Sequence, residues 1–247
     1  MDIKEASILL VEDEPMLREI MCEWLKRVVG QVFCAEDGAA ALKILAASKI
    51  DLIISDVRMP AMDGIALLKK IKESGGTPGM IFITGFSDVP LREAHDMGAE
   101  AILEKPIHRE ELLRAAQRSL ADADELWREP PAAAPEMKLK MSFPSFATAL
   151  EEKRIAFGRR GFCIESASAL REGPVEFTMD FKTDQQVMTG HGMVRWTSPQ
   201  EHQAGIEITY VDDASRAWLI DLMERNKPVP FIPRSTKREQ SPKIKTA

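Results

Sequence analysis

Four short segments of this 247-residue chain carry side chains that suit phosphoryl-transfer chemistry: carboxylates at Glu12-Asp13 and Asp56, a hydroxyl at Thr84 and an ammonium at Lys105. Three acids gathered in one pocket repel one another, so the site is favourable only when a hard cation such as Mg²⁺ neutralises them. A carboxylate that faces the cation can attack a phosphoryl group and form an aspartyl phosphate. Lys105 and the cation would screen the incoming charge, and Thr84 could donate a hydrogen bond to a phosphoryl oxygen.

These side chains share one edge of a sheet if the apolar runs of the first half are parallel strands. The runs are nearly continuous, as in strands buried on both faces, and they cover residues 8–11, 32–34, 52–54, 80–83 and 101–103. Helical spacing between them predicts helices over residues 16–29, 38–47, 65–71, 91–97 and 110–127, with N-caps at Asp37, Asp63 and Asp88. The expected fold class is α/β, a doubly wound five-stranded parallel sheet that binds ligands beyond the carboxyl ends of its strands.

Asp56 is the best candidate for the nucleophile, because it ends the most apolar central strand. Taken singly, each of these residues is more often an ordinary solvated loop or turn residue. Their occurrence on one sheet edge in a single consistent strand assignment is what predicts a site.

Residues 5–125 resemble the receiver domain of two-component response regulators. The resemblance rests on Glu12-Asp13, the run from Asp56 to Gly64 with its M-P-x-M-D-G stretch, Thr84-Gly85 and Lys105-Pro106. It implies that Asp56 accepts a phosphoryl group from a histidine kinase, and that Thr84 and Lys105 are the catalytic residues that contact this group. It also implies that Mg²⁺ lies among Glu12, Asp13, Asp56 and the backbone carbonyl of Arg58.

The sequence departs from the receiver pattern at Ile102, where the family often has a Tyr or Phe that rotates as a switch. An aromatic switch is therefore not expected. An enzyme alternative is a magnesium-dependent phosphatase of the haloacid dehalogenase type, whose nucleophile lies on the first strand within D-x-D. Here the first strand ends in Glu12-Asp13 and the position two after Asp56 is Arg58. We expect no enzyme activity beyond self-phosphotransfer and autodephosphorylation.

A proline-rich segment separates two halves of the chain that differ in their hydrophobic periodicity. Three prolines between residues 129 and 135 predict a linker over 129–136, after a receiver domain over 1–128. Period-two alternation then predicts strands near residues 137–143, 175–181, 187–196 and 205–210, an extra helix over 144–153 and a final helix from Asp212 or Asp213. We expect a small antiparallel β-barrel with a C-terminal helix over residues 137–226.

This second half resembles a divergent PilZ domain, whose usual ligand is cyclic di-GMP. The pieces that fit are residues 173–175, 192–196 and 205–208. The R-x-x-x-R arm is not found, and the [D/N]-x-S-x-x-G turn, aligned at residues 156–161, keeps only its final glycine. Arg159 and Arg160 are the candidate contacts for cyclic di-GMP, with a solvated hairpin tip as the alternative. The missing arm favours a barrel that acts through protein contacts.

Composition excludes further classes. The net charge is −6, and the segment from Asn226 onward contains six basic residues and one acid. The rest of the chain is therefore strongly acidic, which disfavours nucleic-acid binding. We expect a basic, disordered tail over 227–247 and no DNA-binding helix-turn-helix. The three cysteines Cys22, Cys34 and Cys163 lack a C-x-x-C pair, which argues against a disulfide framework. The absence of a signal sequence and of a long apolar run predicts a cytoplasmic protein.

The sequence therefore predicts a response regulator of a phosphorelay that signals through a PilZ-like output domain by protein–protein contacts. Its partners would be a histidine kinase and an unknown downstream protein, with a homodimer as one further mode of output. The alternative is an effector that integrates phosphorylation with cyclic di-GMP binding.

Overall fold

The computed structural model describes residues 2–74, 78–85, 91–121, 125, 127–128, 135–152, 154–165, 170–226 and 230–233. The chain divides into two compact units. The first contains residues 1–90 and 97–121, and the second contains residues 91–96 and 122–247. No helix among the described residues is long and apolar enough to cross a membrane.

The first unit is the predicted five-stranded parallel sheet, in the order β2-β1-β3-β4-β5. Its elements, with α4 shared between the units, are β1 Ser7–Val11, α1 Pro15–Lys26, β2 Gln31–Ala35, α2 Gly38–Ala47, β3 Leu52–Asp56, α3 Gly64–Glu73, β4 Gly79–Thr84, α4 Leu91–Met97, β5 Ala99–Glu104 and α5 Arg109–Leu120. Every residue of β3 and β4 is buried, which is why their apolar runs are continuous rather than alternating.

Helix boundaries follow local signals, with one clear difference. The side chains of Asp37 and Asp63 accept hydrogen bonds of 2.7 Å from the backbone N–H groups of Ala40 and Ala66, as predicted for N-caps. The expected cap at Asp88 lies outside the described residues. Helix α5 ends at Leu120, short of the predicted residue 127, because the backbone becomes extended at Ala121, where ψ is 136°. Trp127 has a positive φ of 65° and is buried in the core of the second unit.

The second unit is a six-stranded sheet in the order β6-β9-β10-β11-β8-β7. Its elements are β6 Met137–Phe143, α6 Phe146–Glu151, β7 Ile155–Phe157, β8 Gly161–Glu165, β9 Gly173–Phe181, β10 Gln186–Ser198, β11 Gln203–Val211 and α7 Asp213–Asn226. All four predicted strands, the extra helix and the final helix are present. The main core contains α6 and α7, where the ring of Phe146 lies 5.0 Å from Trp218 and 5.4 Å from Phe181.

The expected small antiparallel β-barrel needs correction in two respects. Strands β6 and β9 pair in parallel, from Met137 opposite Val175 to Phe143 opposite Phe181. Strands β6 and β7 stand at opposite ends of the strand order, so the described strands form an open half-barrel. The reason is connectivity: β6 pairs with a strand that follows only after α6 and the β7–β8 hairpin, and a crossover of this kind permits parallel pairing.

Two further expectations need correction. Cys22 of α1 and Cys34 of β2 form a disulfide, with Cα atoms 6.9 Å apart, although their sequence spacing gave no sign of it. Four residues of the tail predicted to be disordered, 230–233, are ordered in the second unit. Their order follows from burial, since Phe231 and Ile232 are only 3% and 0% exposed. The other tail residues, 227–229 and 234–247, lie outside the described residues.

Candidate functional site

The carboxyl edge of the first sheet brings the predicted residues together. Glu12 follows β1, Asp56 ends β3, Thr84 ends β4 and Lys105 follows β5. One carboxylate oxygen from each of Glu12, Asp13 and Asp56 lies within 4.8 Å of the other two. The strand pattern of the sequence predicts that these acids share one edge of the sheet. The parallel pairing of β1 with β3 brings them close together there.

Lys105 connects two of the acids. Its Nζ lies 2.5 Å from Asp56 Oδ2 and 3.1 Å from Glu12 Oε2. Burial and the neighbouring charge of Asp56 raise the pKa of Glu12, although Lys105 opposes the shift. Burial by itself would lower the pKa of Lys105, but the hydrogen bond to Asp56 and the charge of Glu12 outweigh it and raise that pKa. Lys105 is thus held as an ammonium between two carboxylates.

The backbone around Asp56 is closely packed. Asp56 is 5% exposed, and its Oδ1 accepts a hydrogen bond of 3.1 Å from the backbone N–H of Arg58. At Gly64, the glycine of the M-P-x-M-D-G stretch, a Cβ would overlap the backbone oxygen of Asp56. The role of this glycine is therefore steric: only a residue without a side chain lets α3 begin this close to the end of β3.

Thr84 lies at the same edge but does not point its proton at the acids. Its Oγ1 donates a 2.6 Å hydrogen bond to the backbone oxygen of Gly85, and the residue is 6% exposed. The backbone N–H of Lys105 donates to the Thr84 carbonyl at 2.8 Å, which fixes the two residues relative to each other.

Arg18 is a positioning residue that sequence reasoning missed. Its Nη1 donates to the backbone oxygens of Glu12 at 2.6 Å and Asp13 at 3.1 Å. The backbone N–H of Glu14 also donates to Glu12 Oε1 at 3.3 Å. A basic residue in the first turn of a helix that follows an acidic loop was a usable signal, but its acceptors are backbone atoms, which carry no sequence signature.

The donor set fits a hard divalent cation. Glu12 Oε2 is buried and accepts no hydrogen bond from the described residues, although the Lys105 ammonium lies near it. Asp13 is exposed, so water can complete a coordination sphere there. Carboxylates and waters are the ligands that Mg²⁺ prefers. The backbone N–H of Arg58 donates to Asp56 Oδ1, and the role of the Arg58 carbonyl as a metal ligand stays a prediction.

In the second unit, the Arg159-Arg160 turn is covered by the residues that follow α7. The backbone N–H of Arg159 donates to the Pro230 carbonyl at 2.7 Å, and that of Arg160 donates to the Phe231 carbonyl at 3.2 Å. The alternative of a solvated hairpin tip therefore does not hold for the backbone of this turn. Cyclic di-GMP binding by the two side chains stays a prediction.

Comparisons with known proteins point to the same part of the chain. Residues 8–117 match the family model of the response regulator receiver domain. The chain is similar to the transcriptional regulatory protein GlrR of Escherichia coli, at 36% identity over 136 residues that cover 52% of this chain and 30% of that protein. It is also similar to the transcriptional regulatory protein CrdR of Helicobacter pylori, at 35% identity over 121 residues that cover 48% of this chain and 56% of that protein.

Among solved structures, the signal receiver domain of an HD domain-containing protein from Pseudomonas fluorescens is 30% identical, with a TM-score of 0.44 over 47% of this chain and 94% of that one. The chain thus spans only part of the length of the curated relatives, between 30% and 56% for the two named above. The family match and the acidic pocket coincide on the same strands. Residues 8–117 of this chain are a response regulator receiver domain, a component of two-component signalling.

Proposed function

We propose that the whole chain is a response regulator of a phosphorelay, in which Asp56 accepts a phosphoryl group from a histidine kinase. The observation that carries the proposal is the Lys105 ammonium, 2.5 Å from Asp56 Oδ2 and 3.1 Å from the buried Glu12 Oε2. A charge-compensated carboxylate at the mouth of an acidic pocket is what aspartyl-phosphate formation requires.

In the proposed reaction a carboxylate oxygen of Asp56 attacks the phosphorus of the donor. A phosphorus–oxygen bond forms as the bond to the donor nitrogen breaks, and the donor imidazole takes up the leaving electron pair. Lys105 stays protonated and moves from the carboxylate to the phosphoryl oxygens. Mg²⁺, when bound by Glu12, Asp13 and Asp56, supplies charge neutralisation at the same oxygens.

Thr84 would complete the contacts by rotating its hydroxyl from the Gly85 carbonyl towards a phosphoryl oxygen. The present hydrogen bond of 2.6 Å to Gly85 supports this role, because the Thr84 hydroxyl is already a donor and would only exchange one acceptor for another. Such an exchange would change the backbone at the end of β4 and is how a local modification becomes a structural signal.

For the second unit we propose a PilZ-like output domain that acts in the cytoplasm through protein contacts and not through DNA. Its longest helix, α7, carries Asp213, Asp221 and Glu224 against Arg216 and Arg225, which does not suit a phosphate backbone. The engaged N–H groups of the Arg159-Arg160 turn also leave fewer donors for a dinucleotide. Titration of cyclic di-GMP into the full chain would overturn this choice if heat saturated at micromolar ligand.

The test of the proposed function is phosphoryl uptake from acetyl phosphate with Mg²⁺, followed by intact mass. We expect a single phosphoryl adduct on the natural chain and none on Asp56→Asn. The matched control is Asp63→Asn, the same chemical change seven residues on, because Asn is as good an N-cap as Asp and α3 should stay intact. Equal uptake by Asp56→Asn would contradict the assignment.

A further inference from the structure

The backbone of Glu12, the buried carboxylate of the acidic pocket, is held from two sides. Its N–H donates a hydrogen bond of 3.2 Å to the Ala35 carbonyl. Its own carbonyl accepts the 2.6 Å hydrogen bond from Arg18 Nη1. Ala35 is the last residue of β2 and Arg18 lies near the start of α1. The position of Glu12 therefore depends on both α1 and β2.

The disulfide between Cys22 and Cys34 joins these same two elements. Cys34 directly precedes Ala35, and Cys22 lies four residues, about one helical turn, after Arg18. The disulfide, α1, the end of β2 and the backbone of Glu12 thus form a closed frame. Strand β2 is at the edge of its sheet, with β1 as its neighbour in the strand order. The bridge is therefore a covalent tie to a strand that the sheet holds on one side.

The two sulfur atoms of the bridge differ in access to solvent. Cys34 is exposed, whereas Cys22 is only 4% exposed. Thiol–disulfide exchange requires a thiolate to reach one of the sulfurs, so Cys34 is the point of attack, and exposed bridges are the ones that are labile or regulatory. The proposed function places the chain in the cytoplasm, where most disulfides that form are transient. The bridge therefore has the access and the setting of a reversible one.

We propose that Cys22 and Cys34 are a reversible redox modification site, and that the bridge raises the affinity of the acidic pocket for Mg²⁺ by fixing Glu12. This inference rests on the proposed function for its cytoplasmic setting. Its reductant is a low-molecular-weight thiol of the glutathione class.

The reaction proceeds in two exchanges. A glutathione thiolate attacks Cys34 Sγ, the bond between the two cysteines breaks, and Cys22 leaves as a thiolate that takes up a proton. A second glutathione thiolate attacks the glutathione sulfur of the mixed disulfide, so Cys34 leaves and takes up a proton in turn. Two electrons pass from two glutathione thiols to the bridge, and oxidised glutathione is the other product. Oxidised glutathione reverses the reaction.

Opening the bridge should loosen the pocket without unfolding the first unit. Met21 and Leu25 of α1 stay buried against the sheet. The covalent tie between the two supports of Glu12 is lost, so the ligand must be ordered when the ion binds, and that cost lowers the affinity. We expect Mg²⁺ to bind about threefold more weakly to the open form, because the supports themselves remain in place.

The test uses the full chain, equilibrated in glutathione buffers with increasing ratios of reduced to oxidised form. Alkylation under denaturing conditions and intact mass would count the thiols, since the bridged chain has one, Cys163, and the open chain has three. We expect the bridged fraction to fall as the ratio rises. Mg²⁺ would then be titrated against intrinsic fluorescence in both forms. Hydrogen exchange at the Glu12 amide, measured in chelator, should be faster in the open form because it reports the bond to Ala35 without the ion.

Three variants sharpen the test. Cys34→Ala, at the exposed end of the bridge, should behave as the open form in every buffer. Cys163→Ala makes the same change at the cysteine of the second unit and is the matched control, which should keep the full redox response. Arg18→Met should reduce the effect of the bridge on Mg²⁺ affinity, because the acidic loop is then already separated from α1. Circular dichroism would establish the fold of each variant, and the natural chain decides the matter by itself if one of them does not fold.

Each contrary result would overturn a separate part of the inference. Equal Mg²⁺ affinity of the bridged and open chains, or no Mg²⁺ binding by either, would mean that the bridge only stabilises the fold. A bridge that persists in reduced glutathione would not be reversible. Unchanged exchange at the Glu12 amide would mean that the frame does not hold this residue. None of these measurements uses phosphorylation, so a lack of phosphoryl uptake would contradict the proposed function while the redox effect on the pocket is still decided.

Discussion

The acidic pocket of the first unit differs in its composition from an apolar cluster of the second unit, named here the apolar patch. The apolar patch consists of Cys163, Trp196, Phe231 and Ile232. The pocket consists of charged side chains at strand ends, such as Asp56 and Lys105, each of which is visible as a residue type in the sequence. The patch consists of backbone hydrogen bonds and of apolar residues far apart in the chain, such as Cys163 and Phe231. Chemistry can thus be inferred from sequence in the first unit, whereas binding in the second depends on tertiary packing.

This contrast predicts that the pocket should be sensitive to the loss of one charged side chain, and the patch to a change in the size of one apolar side chain. The largest effect is expected for Lys105→Met, which removes the cation beside Asp56 and should slow phosphoryl uptake about a hundredfold. Lys49→Met, at an 88% exposed lysine, is the control and should react normally. Uptake within twofold of the natural chain would show that the pocket does not depend on this ammonium.

The patch should respond to the loss of an aromatic ring rather than a charge. Phe231→Ala should weaken the attachment of residues 230–233 to the sheet by about 2 kcal/mol, the value of a buried side chain of this size. Hydrogen exchange at the Arg159 and Arg160 amides would measure it. Phe231→Leu should recover most of the effect, and unchanged amide protection in Phe231→Ala would contradict an attachment of residues 230–233 through side-chain packing.

A smaller effect concerns stability without Mg²⁺. Because the folded pKa of Glu12 is raised, its stabilising contribution is complete below its ordinary pKa of about 4.5 and is lost as pH rises through the folded value. At neutral pH Glu12→Gln should therefore raise the free energy of unfolding by about 1 kcal/mol in chelator and abolish the stabilisation by Mg²⁺. Chemical denaturation at several pH values would measure both, and a destabilised variant would argue against charge repulsion in the pocket.

The smallest effect is expected for Arg18, which contacts only backbone oxygens of the acidic loop. Arg18→Met should weaken Mg²⁺ binding a few-fold, about 1 kcal/mol, because the loop loses its support but keeps its ligands. Titration of Mg²⁺ against intrinsic fluorescence would measure the affinity. Arg18→Lys should recover part of it, whereas full loss of binding would make Arg18 more than a positioning residue.

The success of sequence reasoning followed the locality of each signal. The N-caps Asp37 and Asp63 were predictable because a cap satisfies a backbone N–H three residues away. The place of Trp127 outside α5 was not, because this residue is buried in a core formed by residues much later in the chain. The parallel pairing of β6 with β9 was missed for the same reason, since period-two alternation gives the buried face of a strand but not its neighbour.

The close approach of Gly64 to the backbone of Asp56 has a consequence for mutational tolerance. In a saturation library at position 64, every substitution should shift the main chain that carries the nucleophile, so survivors of a phosphorylation screen should be glycine almost alone. The position would then be as restricted as the acids themselves, although it contributes no atom to the chemistry. A position that tolerates only glycine beside a buried carboxylate would therefore help to identify a reactive carboxylate in chains whose metal and phosphoryl donor are unknown.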